Sequence, residues 1–117
     1  MVIIHGIKNC DTIKKALKWF EERGIEYHYH DFRKDGLERQ LLERWIAKIG
    51  AEALLNKRGT TWRKLPESEK KNLAGEDVAN LLLAYPAMIK RPVFDFGEGC
   101  RVGFSKQDQV EITHMFL

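Results

Sequence analysis

The chain has 117 residues, of which 44% are hydrophobic and 32% are charged. This composition is typical of a globular protein and argues against disordered, collagen-like and disulfide-scaffold chains. The 20 Lys and Arg residues against 17 Asp and Glu residues give a net charge of +3, but the two signs alternate along most of the chain. The total charge alone therefore predicts no nucleic-acid partner, and the length predicts one domain with its own core.

Targeting and cofactor signals are also lacking in the sequence. The first residues have no basic segment leading a long apolar stretch, and the longest apolar run, residues 81–85, is far too short for a bilayer. The two cysteines, Cys10 and Cys100, form neither a disulfide framework nor a four-ligand zinc pattern. We therefore expect a cytoplasmic protein with reduced thiols, without a metal site and without a membrane partner.

The first third of the chain predicts a strand–helix–strand unit. Residues 2–5 form a short run of mostly β-branched side chains, as in a buried strand. Over residues 11–23 the apolar positions recur every three or four residues, which predicts an amphipathic helix that Gly24 ends. Residues 25–31 alternate in polarity and predict a second strand. A unit of this size implies parallel pairing with a right-handed crossover.

The remainder of the chain predicts a helical block followed by a hairpin and a last helix. The block is predicted to contain a helix ending at Gly50, a short helix over 51–55, a polar basic loop over 56–64, a short helix begun by Pro66 and a helix over 76–84. After it we expect a strand over 93–96, a turn over 97–99, a strand over 101–104 and a helix over 106–115. This order predicts an α/β sandwich with a helical insertion.

Cys10 is the most informative single residue, because it lies where the first strand connects to the first helix. Unpaired backbone N–H groups and the positive end of the helix dipole favour a thiolate there. Lys8, Lys14 and Lys15 add positive charge, which Asp11 opposes. Cysteines at such positions have pKa values lowered from about 8.5 to about 3.5–7.5, which predicts a nucleophile. The alternative interpretation is a small buried apolar residue, which is common for free cysteine.

Two further segments carry unusual cation patterns. Residues 56–66 contain four basic residues and no acid, so they form either a solvated loop or an anion-binding loop. Pro92 directly precedes a predicted strand and marks a strand start or a cis turn. The alternative for that segment is an ordinary turn with a solvated Lys90–Arg91 pair.

The remaining metal-ligating and thiol side chains predict little chemistry. Cys100 is either a resolving thiol or, more commonly for such a residue, a packed structural one. His28 and His30 share a face of the second predicted strand but have no third ligand nearby in sequence. We therefore expect no metal site there.

Four stretches together resemble the arsenate reductase (ArsC) family of the thioredoxin superfamily. They are residues 9–12, 54–63, 85–92 and 100–104. The resemblance extends over essentially the whole chain and is greatest to the YffB-like branch, which neighbours the Spx-type transcription regulators. It implies a single domain over 1–117, with a thioredoxin-like core of mixed sheet at about 1–35 and 85–117 and a helical insertion at about 36–84.

The resemblance also implies a site. Pro92 would be the cis-proline facing Cys10, and Arg91 and Arg101 match two of the arginines that hold the oxyanion in arsenate reductases. The third arginine position holds Asn56, with Arg58 two residues later. Because of this departure, the resemblance predicts arsenate as a substrate less well than it predicts a reactive thiol.

The expected function is that of a glutathione-dependent thiol reductase, in which Cys10 forms a mixed disulfide. Glutathione or glutaredoxin would be the partner of a small thiol or oxyanion substrate, with no tightly bound cofactor. The residues predicted to bind substrate or glutathione are Lys8, Asn9, Thr12, Arg58, Arg91, Pro92 and Arg101. The alternatives are a true arsenate reductase and an Spx-like regulator that binds RNA polymerase. Direct binding of nucleic acid is a weaker alternative, because the sequence has no helix-turn-helix signature.

Overall fold

A computed structural model describes residues 1–8, 10–71 and 75–116. The chain divides into two compact units, one formed by Met1–Asp35 with the chain from Arg91 onward, the other by Gly36–Lys90. In chain order the elements of the described residues are β1 (Val2–Gly6), α1 (Asp11–Glu22), β2 (Tyr27–Asp31), α2 (Arg39–Ile49), α3 (Ala51–Leu54), α4 (Thr60–Lys64), α5 (Gly75–Ala84), β3 (Val93–Asp95), β4 (Cys100–Val102) and α6 (Lys106–Phe116). Short 3-10 turns form at Glu67–Glu69 and Pro86–Met88.

The first unit contains a mixed sheet in the order β2-β1-β3-β4. Strand β1 pairs in parallel with β2, from Val2 opposite Tyr27 to Gly6 opposite Asp31. It pairs antiparallel with β3, which in turn pairs antiparallel with β4. Two antiparallel pairings restore the direction, so β4 runs parallel to β1. The carboxyl ends of β1, β2 and β4 and the start of β3 therefore lie along one edge of the sheet. This arrangement confirms the predicted α/β, thioredoxin-like fold.

The core of this unit lies between the sheet and α1. Val2 and Ile4 of β1, Phe20 of α1 and Phe94 of β3 are all buried, and the Phe20 and Phe94 rings are stacked with centroids 5.6 Å apart. At the carboxyl end of β1 the helix approaches the strand closely. A Cβ atom added at Gly6 would lie 2.2 Å from Cδ1 of Ile13, so only glycine allows this spacing.

The second unit, Gly36–Lys90, is helical. Helix α2 packs against α5 and α3, and its core contains the buried side chains of Leu42, Trp45, Leu54 and Leu82. A short antiparallel bridge between Leu55 and Ile89 closes the unit, with hydrogen bonds from Asn56 N to Met88 O (2.8 Å) and from Lys90 N to Leu54 O (2.7 Å). The unit therefore extends to residue 90, several residues beyond the predicted end of the insertion.

Most predicted elements form within a few residues of their expected bounds, and the differences have local causes. Strand β2 begins at Tyr27 because the N–H of Ile25 bonds to Phe20 O and completes the end of α1, where Gly24 has φ +65°. Strand β3 ends at Asp95, whose Oδ1 accepts the N–H of Gly97 in the hairpin turn.

The polar stretch 56–64 was predicted to be a loop, and this prediction is wrong for its second half. Thr60–Lys64 form α4, and the Arg63 side chain donates to the carbonyl of Arg58 at 2.9 Å.

Within the described ranges, no helix is long and apolar enough to cross a bilayer.

Candidate functional site

Cys10 is the residue immediately before α1. Its backbone is extended (φ −101°, ψ 120°), and its carbonyl accepts the first hydrogen bond of the helix from Lys14 N at 3.1 Å. The side chain is half-buried, and the thiol is free. The sulfur therefore lies beside the N–H groups of the first helical turn, where the backbone supplies hydrogen-bond donors and partial positive charge.

The surroundings of the sulfur stabilise its ionised form. Burial alone would raise the pKa of the Cys10 thiol. Hydrogen bonds from the backbone N–H of Ile13 and from the Arg91 side chain, the positive charge of Arg91 and a bond from the N–H of Thr12 outweigh burial and lower the pKa below its ordinary value. This agrees with the thiolate expected from the position of Cys10. The cation is Arg91, from the segment before β3, and not one of the predicted lysines adjacent to Cys10 in the chain.

The Arg91–Pro92 peptide bond is cis, as the resemblance implies. Pro92 is buried, and its carbonyl accepts the N–H of Gly103 at 3.0 Å. Since β3 runs antiparallel to β1, its start lies at the same edge of the sheet as the end of β1. This places Arg91 and Pro92 at the edge from which the chain leads to Cys10. A contact of Pro92 with a substrate at Cys10 stays a prediction.

Asp31 is a site residue that the sequence did not reveal. It lies at the end of β2, is only 6% exposed and accepts a hydrogen bond from the backbone N–H of Lys8 at 3.2 Å. It also accepts the N–H groups of Arg33 and Lys34. Burial opposes its charge, but the bonds from Lys34, Arg33 and Lys8 lower the pKa of the Asp31 carboxyl. Asp31 thus fixes the loop that leads to Cys10.

Tyr29 is a second residue missed from sequence. It lies opposite Ile4 in β2, and its hydroxyl oxygen is buried without a hydrogen-bond partner among the described residues. Burial and the negative charges of Asp31, Cys10 and Asp35 raise the pKa of the Tyr29 phenol. The phenol therefore stays neutral beside Cys10. The signal that could have found Tyr29 is the alternation of β2, which puts it on the same face as Tyr27, whose ring contacts Phe20 of α1.

Arg101 is held by carboxylates. Its Nη2 atom lies 3.2 Å from Oδ1 of Asp108 and 2.5 Å from Oε2 of Glu111. Although burial would lower the pKa of Arg101, the hydrogen bonds to Glu111 and Asp108 raise it. Two carboxylates thus compensate the guanidinium charge, which weighs against Arg101 as an oxyanion ligand. Its assignment to the substrate stays a prediction.

Arg58 belongs to the helical unit, where it lines a cavity of about 250 Å³ with Leu55, Asn56, Lys57 and Lys90. The side chain of Asn56 accepts the N–H of Arg58 at 3.2 Å, and Lys57 is paired with Glu52 at 3.0 Å. Of the four basic residues of this stretch, Lys57 and Arg58 therefore line one small concave surface together with Lys90, and anion binding there stays a prediction. Binding of glutathione by Arg58 stays a prediction.

The remaining predicted residues have different surroundings. Asn9 lies outside the described residues. Lys8 contributes its backbone to the Asp31 contact while its side chain is exposed, and Thr12 is half-buried in the first turn of α1. Cys100 is half-buried in β4, opposite Asp95. Among residues 1–8, 10–71 and 75–116, no group of three His, Cys, Asp or Glu side chains could hold a metal ion.

The fold and the cysteine–arginine–cis-proline arrangement define a thioredoxin-like protein with a free, half-buried thiol at the start of α1. The model of the ArsC family matches residues 5–112, and the chain belongs to this family. It is 41% identical over 108 residues to an uncharacterized protein of Haemophilus influenzae, covering 92% of this chain and 95% of that protein.

Solved structures with high identity share the same fold. A YFFB protein structure superposes with a TM-score of 0.88 at 41% identity, covering 95% of this chain and 97% of that one. An arsenate reductase (ArsC) related protein from Brucella melitensis gives a TM-score of 0.79 at 44% identity, with 96% and 93% coverage. The chain therefore has an arsenate reductase-related fold.

More distant similarity reaches a class of regulators. The global transcriptional regulator Spx 2 of Bacillus cereus is 23% identical over 110 residues, which cover 92% of this chain and 83% of the regulator. The ArsC-like sequence is thus shared by proteins named for reductase chemistry and by proteins named for transcriptional regulation.

Proposed function

We propose that the protein is a thiol oxidoreductase, and specifically a glutathione-dependent thiol reductase with Cys10 as its nucleophile. The observation that supports this most directly is the Cys10 sulfur itself. It is half-buried at the start of α1 and is stabilised as a thiolate by two backbone N–H groups and by Arg91. Low-pKa, accessible cysteines of this kind are the usual nucleophiles of thiol–disulfide exchange.

The reaction proceeds by two exchanges. The Cys10 thiolate attacks one sulfur of a substrate disulfide, a new S–S bond forms to Cys10, and the other substrate sulfur leaves as a thiolate that takes a proton from solvent. A glutathione thiolate then attacks the mixed disulfide and releases Cys10. This leaves a glutathione–substrate mixed disulfide. A second glutathione thiolate attacks its glutathione sulfur and releases the substrate thiolate, which takes a proton from solvent, so one substrate disulfide is reduced while two glutathione molecules become oxidised glutathione.

An external thiol is needed because α1 offers no second cysteine. Ile13 occupies the position that a resolving cysteine would have in a CxxC motif, and its side chain is buried against Gly6. Cys100 lies in β4, where its register partner is Asp95. A monothiol mechanism with a soluble thiol is therefore the chemistry that the described residues support best.

The same geometry favours a disulfide substrate over arsenate. An oxyanion with more than one negative charge calls for several uncompensated cations around the thiol. Arg91 supplies one, but the charge of Arg101 is compensated by Asp108 and Glu111. A neutral disulfide needs only the thiolate and a stabilised leaving group. Arsenate reduction therefore remains the secondary form of this proposal.

Mass spectrometry of the intact protein after incubation with oxidised glutathione tests the proposal. We expect one glutathione adduct, located by peptide mapping at Cys10 and retained in a Cys100→Ser variant. Glutathione should remove the adduct, and the protein should then reduce hydroxyethyl disulfide catalytically. An unmodified protein, or a protein modified only at Cys100, would contradict a catalytic role for Cys10.

A regulatory function is the second candidate, favoured by the similarity to Spx proteins. In this case the protein would bind RNA polymerase, and Cys10 would be a redox-sensing thiol instead of a catalytic one. Affinity capture with purified RNA polymerase separates the two, since a reductase requires no such complex. A stable complex that forms equally well with a Cys10→Ser variant would favour the regulatory function.

A further inference from the structure

A cavity of about 430 Å³ lies between α1 and the start of α6, within the first unit. Its floor is aromatic: the Trp19 and Phe104 rings meet edge to face, with centroids 5.7 Å apart and planes at 85°. Its rim includes Thr12 near one end and Glu22 near the other. We call this cavity the α1–α6 groove. A volume of this size suits a ligand of several residues or a small organic molecule.

Three lysines line the α1–α6 groove: Lys15, Lys18 and Lys106. All three are exposed, and within the described ranges none of their ammonium groups forms an ion pair. Some other cations of the chain are paired with carboxylates, such as Arg101 with Asp108 and Glu111. The groove therefore combines an apolar floor with three lysines outside any ion pair and one lining carboxylate, Glu22, at its far end, a combination that attracts acidic ligands.

The groove begins at the edge of the sheet that carries Cys10. Helix α1 follows β1 and helix α6 follows β4, and these two strands run in the same direction. Thr12 and Lys106, each near the start of its helix, therefore lie at this edge. Thr12 also links the two features, because its N–H is one of the groups that lower the pKa of the Cys10 thiol and the residue lines the groove.

The length of the groove defines what fits it. From Thr12 to Glu22 the helix rises by about 15 Å at about 1.5 Å per residue. An extended segment at about 3.3 Å per residue would place four or five residues along that distance. The lysines lie nearer the Cys10 end than Glu22 does, so acidic side chains are favoured close to the reacting sulfur and disfavoured at the far end.

We propose that the α1–α6 groove binds an extended acidic segment of a protein substrate, next to the cysteine whose disulfide reacts with Cys10. This inference rests on the proposed function and adds the class of its substrate. Cys10 would attack the glutathione sulfur of a protein–glutathione mixed disulfide and release the protein thiolate, which takes a proton from solvent. Free glutathione would then attack Cys10–glutathione, giving oxidised glutathione and the Cys10 thiolate.

The test uses three kinds of peptide of equal length, each carrying one cysteine in a mixed disulfide with glutathione. The four residues beside the cysteine are glutamates, serines or lysines, and each set is made on the amino and on the carboxyl side. The wild-type protein should release the acidic peptide about tenfold faster than the lysine peptide in low salt, and added salt should reduce the difference. Lys18→Glu should remove most of this preference.

Lys14→Glu is the matched control, because Lys14 lies on the same helix, is exposed and does not line the groove. It changes the net charge equally and should retain the preference. Equal rates for all three peptides, or equal effects of Lys14→Glu and Lys18→Glu, would overturn the inference. A serine peptide that is not turned over would instead count against the proposed function.

A binding measurement keeps the inference testable without any reaction. An acidic peptide with serine in place of cysteine is titrated into the protein and followed by backbone amide NMR. We expect shifts at residues 12–22 and 104–109, and none of comparable size with the lysine peptide. Shifts confined to other surfaces would contradict binding in the α1–α6 groove, whatever the outcome of the kinetic assay.

Discussion

The Arg91 side chain donates a hydrogen bond to the Cys10 sulfur, although most of the chain separates the two residues. The contact exists because β3 is the antiparallel neighbour of β1, so the residue before the cis-proline meets the edge where β1 ends. The ionisation of the thiol thus depends on a strand pairing between the two ends of the first unit, in addition to the local effect of the α1 amino terminus.

Replacing Arg91 should decrease the reactivity of Cys10. Arg91→Met removes both the hydrogen bond and the charge, so the thiol pKa should rise and alkylation by iodoacetamide near pH 7 should slow severalfold. Arg91→Lys keeps the charge without the planar donor group, so its alkylation rate should lie between those of wild type and Arg91→Met. The measurement is the pH dependence of alkylation at Cys10. An unshifted pH profile in Arg91→Met would show that the helix amino terminus alone sets the thiol pKa.

Replacing Arg101 should affect stability more than chemistry. Arg101→Met breaks partly exposed ion pairs with Asp108 and Glu111, and we expect a loss of about 1 kcal/mol in unfolding free energy. The rate of glutathione adduct formation at Cys10 should change less than twofold. Urea unfolding of this variant measures the loss of stability, and the kinetics of adduct formation measure the rate at Cys10. A large loss of rate without a loss of stability would identify Arg101 as a ligand of the substrate, as the family resemblance implies.

Substituting Gly6 should disturb the position of α1. In Gly6→Ala the new Cβ would meet Cδ1 and Cγ1 of the buried Ile13 at 2.2 and 2.6 Å, so the side chain or the helix must move. We expect a loss of about 1–3 kcal/mol in unfolding free energy and slower alkylation of Cys10. Ile13→Val, which removes the Cδ1 atom, should partly restore both in the double variant. Gly99→Ala, with open space around its Cβ, is the control.

The buried His5 should make stability depend on pH. Burial, then the nearby His30 and to a smaller extent His28, lower the pKa of His5 to about 4 despite the opposing charge of Asp95. The unfolded chain takes up a proton near pH 6.5 and the folded chain only near pH 4. The contribution of neutral His5 is therefore complete above pH 6.5 and declines as the pH falls toward 4, by about 3 kcal/mol.

Urea unfolding at pH 7, 5.5 and 4.5 measures this effect. His5→Phe, which cannot titrate, should flatten the decline relative to wild type, and His114→Gln at an exposed position of α6 should leave it almost unchanged. If His5→Phe and wild type lose stability in parallel, other groups control the acid transition.

The sequence predicted the parts of the site that depend on local patterns. Cys10 was found because a short apolar strand and an amphipathic helix flank it, and both elements form as expected. The roles of Asp31 and Tyr29 were missed, since each depends on β2 lying beside β1 in a particular register. The compensation of Arg101 was also missed, because its carboxylate partners come from α6 and no short-range pattern brings them together.

The contact between Asp31 and residue 8 involves only a backbone N–H. This hydrogen bond requires an N–H at position 8 but does not depend on the side chain there. Proline alone is incompatible with it, because proline has no N–H to donate. The segment that leads to Cys10 can thus change its charge or size at this position while the cysteine keeps its place at the start of α1.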